Sequence, residues 1–462
     1  MSDSPAASDD RGSDDGETSH VVTAFLRNRG AVLLLRRSDS VGTYRGQWGG
    51  VSGFAEGQPD EQVRVEIREE TGIESDDVSL VRSGRPVTFV DPDLEREWAV
   101  HPYLFDCETR EIRLSDEHDA FEWAPPTAML EPVDDRVTVP ELWTAYERVA
   151  PTVRSIAADG EHGAAYLSLR ALEVLRDRAG VLVAERTEFG TDPDGEWDEL
   201  AELAGRLLEA RPSMAVLRNR VNRVMAGADG ENGDASAVLE STSWNIDRAI
   251  DADEDAAATA SEFVADSVAT LSRSGTVLEA LEMGEPSRVF VAESRPAREG
   301  IDVAERLSEM TDSTVSVHTD AAIAHVLARE DVAQVVVGAD TVLSDGSVVN
   351  KTGTRSLALV ADREGIPVSV VAATDKVSTG EEVNLESGDR SAVYDGDASL
   401  DVLNPTFDVT PAECVTQFVT ERGTLEPADI GDVAAELRGL EEWRNSGASP
   451  TRETTDRNPS RE

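Results

Sequence analysis

The 462-residue sequence predicts a multidomain chain: an α+β domain, then a helical subdomain, then a doubly wound α/β domain. Three observations carry this. From Arg288 to Ala372, short apolar runs alternate with amphipathic segments, as in a parallel sheet with crossover helices. From Val139 to Glu282, apolar residues recur at helical spacing. Upstream of residue 135, short runs punctuated by turn signals enclose one helix.

Residues 1–18 are Ser, Asp and Gly with almost nothing apolar, which predicts a disordered acidic tail. The α+β domain follows at 19–135. His20 to Arg27 and Ala31 to Arg37 read as strands joined by the hairpin signal Asn28-Arg29-Gly30. Pro59 opens a helix that stops at Gly72. Strands are expected near 78–91 and 98–107. The helical subdomain spans 136–284, with helices expected over 141–157, 163–179, 196–210, 215–226 and 261–282. The α/β domain spans 285–427, with strands at 288–292, 314–318, 335–337 and 367–372. Its helices are expected at 301–310, 321–328 and 354–363. The polar, Pro-bearing stretch 446–462 predicts a second disordered tail.

The formal charge is -49, from 92 acidic and 43 basic residues. Acid spread through the periodic segments suits a protein of a salt-accumulating halophile. It argues against a nucleic-acid-binding face, which needs clustered cations. Two distant Cys, 107 and 414, indicate neither a disulfide framework nor a zinc cluster. No apolar run approaches the ~18 residues of a membrane span, and the amino terminus lacks the pattern of a signal peptide. The expectation is a cytoplasmic protein with no membrane contact.

The stretch from Val335 to Thr354 organises the rest. An apolar run ends in Gly338-Ala339-Asp340, which puts a carboxylate where open α/β sheets bind ligands. Asn350 and Lys351 then precede Gly353-Thr354 at a helix start, a natural phosphate site. Lys351 and Lys376 are the only lysines in the chain. A lysine kept where Arg otherwise serves suggests a demand for a compact ammonium.

This stretch resembles the signature of the initiation factor 2B alpha/beta/delta family, which includes the methylthioribose-1-phosphate and ribose-1,5-bisphosphate isomerases. Glu293-Ser294-Arg295-Pro296 with Gly300, Asp320-Ala321-Ala322, and Asn404 to Pro411 extend the resemblance to residues 140–425. It implies a Rossmann-like α/β domain with a helical subdomain that lends ligand contacts. It also implies a phosphorylated ribose or nucleotide ligand, a homodimer, and a translation-factor partner as one option. Carried over by position, Asp340 and Ser272 stand at the catalytic places. Gly163, Ala164, Arg211, Ser274, Arg295, Asn350 and Lys351 stand at phosphate- or substrate-binding places. Ser272 replaces the family's Cys, Leu271 its His and His162 an Arg. An unassisted hydroxyl does not ionise at neutral pH, so Ser272 needs a base beside it, and none stands nearby in the sequence.

Gly53 to Ile73 resembles a Nudix box, which implies a Nudix fold for 19–135. Glu66, Glu69 and Glu70 fall on neighbouring helix faces as the metal ligands, with Mg2+ as the implied cofactor. Val65 stands at the box's Arg, and the early Glu position falls at Gly57 or Gln58. Three readings follow. The chain is a regulatory or weakly catalytic binder of a phosphorylated ribose, a sugar-phosphate isomerase with a reorganised acid–base pair, or a magnesium-dependent Nudix hydrolase with the second module as effector.

The charge yields a first prediction. Self-repulsion at -49 is relieved by counterions, so the melting temperature should climb steeply from low to molar KCl. A melting curve insensitive to salt would refute the halophile reading.

Overall fold

The computed structural model describes residues 18–446, apart from 56, 131–135, 231–232 and 381–382. Except for Thr18 and Ser446, the two tails expected to be disordered lie outside the described residues. The chain forms two compact units that divide between Ala150 and Pro151. None of the described helices is long and apolar enough to cross a membrane.

The first unit contains β1 (Ser19–Asn28), β2 (Ala31–Arg37), β3 (Trp48–Gly49), β4 (Val51–Phe54), α1 (Pro59–Thr71), β5 (Val78–Ser83), β6 (Val87–Asp91), β7 (Arg96–Cys107), β8 (His118–Ala124) and α2 (Leu142–Glu147). Arg29 and Gly30, both at positive φ, make the two-residue turn of the β1–β2 hairpin. β1 lies parallel to β7, and the other pairings are antiparallel. Alternation along β1 divides the core. Val22, Ala24 and Leu26 pack with Val63 and Ile67 of α1. Phe25 packs with Leu142, Ala145 and Tyr146 of α2. This unit therefore reaches past the expected end at 135. The single strand expected at 78–91 is two strands, β5 and β6.

The second unit opens with helices α3 (Val153–Ala158), α4 (Ala164–Phe189), α5 (Glu196–Ala210), α6 (Ala215–Ala228) and α7 (Ala235–Ser261). The helix expected over 141–157 is two helices in different units, interrupted at Pro151, which bars the α conformation for the residue before it. The second begins under a Thr152–Ser155 capping box.

The α/β layer contains β9 (Ser267–Leu271), α8 (Gly275–Gly284), β10 (Arg288–Ala292), α9 (Glu299–Met310), β11 (Thr314–His318), α10 (Ile323–Arg329), β12 (Gln334–Gly338), β13 (Thr341–Val342), β14 (Val348–Lys351), α11 (Thr354–Glu364), β15 (Val368–Val371), β16 (Phe407–Thr410), β17 (Gln417–Thr420), β18 (Gly423–Leu425), α12 (Ile430–Gly439) and α13 (Trp443–Ser446). The main sheet runs β11-β10-β9-β12-β15-β17-β18, parallel except for the last pair. Helices α10, α11 and α12 cover one face, and α7, α8 and α9 the other. This is the doubly wound sheet the alternation predicts.

One expectation fails here. Residues 261–282 are not one helix but the central strand β9 followed by α8, so the sheet begins upstream of the expected boundary at 285. Ser267 to Leu271 is buried throughout. A short apolar run without alternation does not distinguish a central parallel strand from a buried helix.

The helices are tied to the sheet by one buried acid. Asp375, fully buried in the turn after β15, accepts from Arg223 (2.7 Å) and Arg248 (3.2 Å) and lies 3.5 Å from Arg220. Asn219 donates to the Asp375 and Val377 carbonyls at 2.8 and 2.7 Å. Burial alone would raise the carboxyl's pKa, but the three guanidinium groups outweigh it and hold the pKa below its usual value.

That network sets a prediction. Asp375→Asn removes the buried charge on which three arginines converge and should cost about 3–5 kcal/mol at neutral pH. A depressed carboxyl stabilises the fold above its unfolded value of about 3.9 and loses that contribution as pH falls through the folded value. The gap between wild type and variant, read by urea denaturation in molar salt, should therefore narrow in acid.

Candidate functional site

The sheet order sets the site. The chain winds outward through β9, β10 and β11, then returns to lay β12 on the other side of β9. The crevice at this reversal opens at the carboxyl ends of β9 and β12. Ser272 follows β9, and Asp340 lies two residues beyond β12. Gly338 lets them approach, because a Cβ there would lie 2.6 Å from Ser274 Oγ. Gly300 does the same for α9, because its Cβ would run into the Ala292 carbonyl at the end of β10. That contact brings Glu299 to the crevice.

Ser272 is buried in left-handed backbone, φ 62°, and its N–H donates to Ser294 Oγ at 2.7 Å. Its hydroxyl donates to Glu299 Oε2 at 2.9 Å. Lys351 Nζ donates to Glu299 Oε1 at 3.1 Å. The carboxylate that the local sequence does not supply to Ser272 thus comes from the first residue of α9. Burial raises the Asp340 carboxyl above its usual pKa. Lys376 and Lys351 pull it down, whereas Glu299 and Glu386 push it up. The crevice therefore sets Asp340 among two further carboxylates, Glu299 and Glu386, and both of the chain's lysines. Glu299 lies within the Glu293–Gly300 motif, where nothing local marks it out. In a chain with 92 acids, one acid beside a glycine carries no distinguishing signal.

The phosphate-site expectations divide. The α11 N-terminus after Lys351 is already occupied, because Asp408 accepts from the Gly353 and Arg355 N–H groups at 2.7 and 3.1 Å. This corrects the reading of that helix start as an anion site. Asn350 donates to Thr354 Oγ1 at 3.0 Å and is buried in the same turn. Ser274 caps α8, accepting from Val277 N–H at 3.4 Å. Arg211 donates to the Ile156 carbonyl at 3.0 Å and to the Asp159 carbonyl, so it holds the loop before α4. Gly163 and Ala164 form the start of α4, and no atom lies within 4 Å of where a Gly163 Cβ would sit. Arg273 reaches across to this loop, donating to the Glu161 carbonyl at 3.5 Å. Arg295 is exposed, with its backbone N–H on Asp320 Oδ2 at 2.7 Å. The open anion positions are thus the α4 start, Arg273 and Arg295, not the α11 start.

In the first unit, Glu66 and Glu70 come together, whereas Glu69 is exposed. A Cβ on Gly53 would run into the Glu66 carboxyl. Glu70 is buried, accepts from Ser52 N–H at 3.1 Å, and keeps Oε1 without a hydrogen bond. Burial first, then Glu66 and Glu117, push its pKa well up, against the pull of Ser52 N–H and Arg37. His118, 4.0 Å away, has its pKa lowered to about 4, chiefly by burial, and gives no counter-charge at neutral pH. Among the described residues, no group of three His, Cys, Asp or Glu could hold a metal ion. The three-glutamate magnesium site implied by the box does not fit these residues. Glu69 stays outside, and Glu70 must lose a proton it favours before it can bind a cation.

The fold is a doubly wound α/β module with a crevice at its topological switch point, and in the chain it follows a mixed α+β unit. Comparison with known proteins agrees. The chain belongs to the Initiation factor 2 subunit family, whose model matches residues 160–427, and a NUDIX domain model matches residues 17–142. It is 35% identical over 321 residues to the ribose 1,5-bisphosphate isomerase of Haloterrigena turkmenica, across 63% of this chain and 94% of that protein. It is 27% identical over 355 residues to the methylthioribose-1-phosphate isomerase of Pseudomonas aeruginosa, across 68% of this chain and 94% of that protein. Among solved structures, translation initiation factor eIF-2B of Pyrococcus horikoshii matches with a TM-score of 0.50 and 26% identity, across 60% of this chain and 95% of that one.

Glu70 supplies a prediction. A carboxyl with a raised folded pKa carries no penalty below its unfolded value of about 4.3. The penalty accumulates as pH rises from there towards the folded value. Glu70→Gln should therefore melt higher than wild type at neutral pH and alike at pH 4. A variant melting lower at neutral pH would show that the carboxylate is compensated.

Proposed function

We propose that residues 151–446 bind a phosphorylated ribose, or a nucleotide carrying one, in the crevice between β9 and β12. The observation that carries this is the placement of both lysines of the chain around Asp340. A sugar phosphate matches the crevice in two ways. Its hydroxyls meet the Asp340 and Glu299 carboxylates, and its phosphate meets Lys351, Arg273 and the open start of α4. The substrates named for the isomerase relatives, ribose 1,5-bisphosphate and methylthioribose-1-phosphate, belong to this ligand class. A homodimer belongs to the same reading; Val393, Leu400 and Leu403 are exposed in the chain between β15 and β16. The reading assigns the ligand chemistry to this unit, because only Glu66 and Glu70 of the first unit's three box glutamates come together. Ordinary magnesium-dependent turnover of nucleoside diphosphate derivatives would favour the hydrolase reading instead.

Calorimetry with ribose-1,5-bisphosphate in molar KCl tests the proposal. A charge-assisted contact is worth about 1.5–3 kcal/mol, so Lys351→Ala should bind roughly ten- to a hundredfold more weakly. Arg355→Ala should bind like wild type, because its guanidinium donates to the Val409 carbonyl at 3.2 Å. Equal affinity of Lys351→Ala and wild type would remove Lys351 from the site.

A further inference from the structure

We infer that Glu299 is the second proton-transfer group of the crevice, opposite Asp340, and that this chain isomerises a C1-phosphorylated aldose without a thiol. The inference rests on the binding reading above and adds a reaction to it. Ser272 cannot be the proton acceptor. Its hydroxyl already donates its proton to Glu299 Oε2 at 2.9 Å, and a serine hydroxyl ionises far above neutral pH. The acceptor in this pair is the carboxylate. It is aimed from two sides, by Ser272 on Oε2 and by Lys351 on Oε1, at 2.9 and 3.1 Å. Both partners are fixed. Ser272 is anchored by its N–H on Ser294 Oγ at 2.7 Å, and Lys351 ends β14, which pairs with β16. Yet the glutamate is not sealed in, because its side chain is 23% exposed and a ligand can reach it. Its charge also acts on Asp340.

The two carboxyls have complementary tasks. Asp340, half-buried and with its pKa raised by desolvation, serves first as the acid. Its proton goes to the ring oxygen as the bond from that oxygen to C1 breaks, and the bond pair stays on the oxygen. Glu299 takes the proton from C2, and the C2–H pair becomes the C1=C2 bond of an enol phosphate. In the second half, the enol hydroxyl on C2 returns a proton to Asp340, and its O–H pair closes the C2=O bond. The C1=C2 pair then takes the proton back from Glu299 at C1. Both carboxyls end as they began, and the product is the ketose with its C1 phosphate intact. No oxidant or external base enters. Ser272 is a positioning residue here, and Lys351 serves both the Glu299 carboxylate and the ligand phosphate.

The test uses the full chain in molar KCl with ribose-1,5-bisphosphate in D2O. NMR follows turnover, and calorimetry follows binding. Wild type should form the ketose with deuterium at C1, because a carboxyl proton exchanges with solvent. Glu299→Gln should lose about 10²–10⁴-fold in turnover, with affinity kept within tenfold and an unchanged melting temperature. Glu299→Asp should recover part of the rate, and Ser272→Ala should lose less than Glu299→Gln. Turnover of Glu299→Gln at the wild-type rate would overturn the assignment. So would wild type that binds the bisphosphate but does not convert it, an outcome that leaves the binding reading standing. Absence of binding would remove both.

Discussion

The second unit depends on one buried carboxylate. Asp375 sits in a short turn after the parallel strand β15, where three arginines from α6 and α7 converge. A charge so placed is costly unless it is paired, and pairing it demands that both helices hold a fixed position against the sheet. Arg220 extends the constraint, donating to Ser168 Oγ of α4 at 2.9 Å and to the Ala249 carbonyl of α7 at 3.0 Å. The next residue is Lys376, whose charge acts on Asp340. One ionic cluster thus sets the helical layer over the sheet and also presents an ammonium to the crevice.

The two units treat carboxyl groups differently. In the crevice, Asp340 is half-buried and faces two ammonium groups, and Glu299 is shared between an ammonium and a hydroxyl. The two ammonium groups offset part of what desolvation costs the Asp340 carboxylate. In the first unit, Glu70 is buried beside Glu66, with a neutral His118 nearby and an oxygen left without a donor. That arrangement favours protonation rather than a cation.

Much of the fold was legible because its signals are local. Pro59 and Gly72 bound α1 where their backbone preferences put them, and Asn28-Arg29-Gly30 makes the expected hairpin. The strands at Arg288, Thr314, Gln334 and Val368 stand where apolar runs predicted them. The central strand β9 is not legible in the sequence because its burial comes from the strands on both sides, and residues 261–282 carry no local mark of them. At the site, Ser272 and Lys351 both bond Glu299, whose charge acts on Asp340. Arg211 is instead tied to the loop before α4, Glu69 faces solvent, and the helix start after Lys351 is closed by Asp408.

By itself the sequence determined the class of each unit, the position of Asp340 at a strand end and the retention of two lysines. Periodicity, turn chemistry and residue type encode these along the chain. Only the tertiary structure decided which groups complete the site. Glu299 is 27 residues from Ser272 and 52 from Lys351, and Asp408 is 55 from Gly353. A hydrogen bond is made over about 3 Å of space, and only the winding of the sheet brings such distant residues that close.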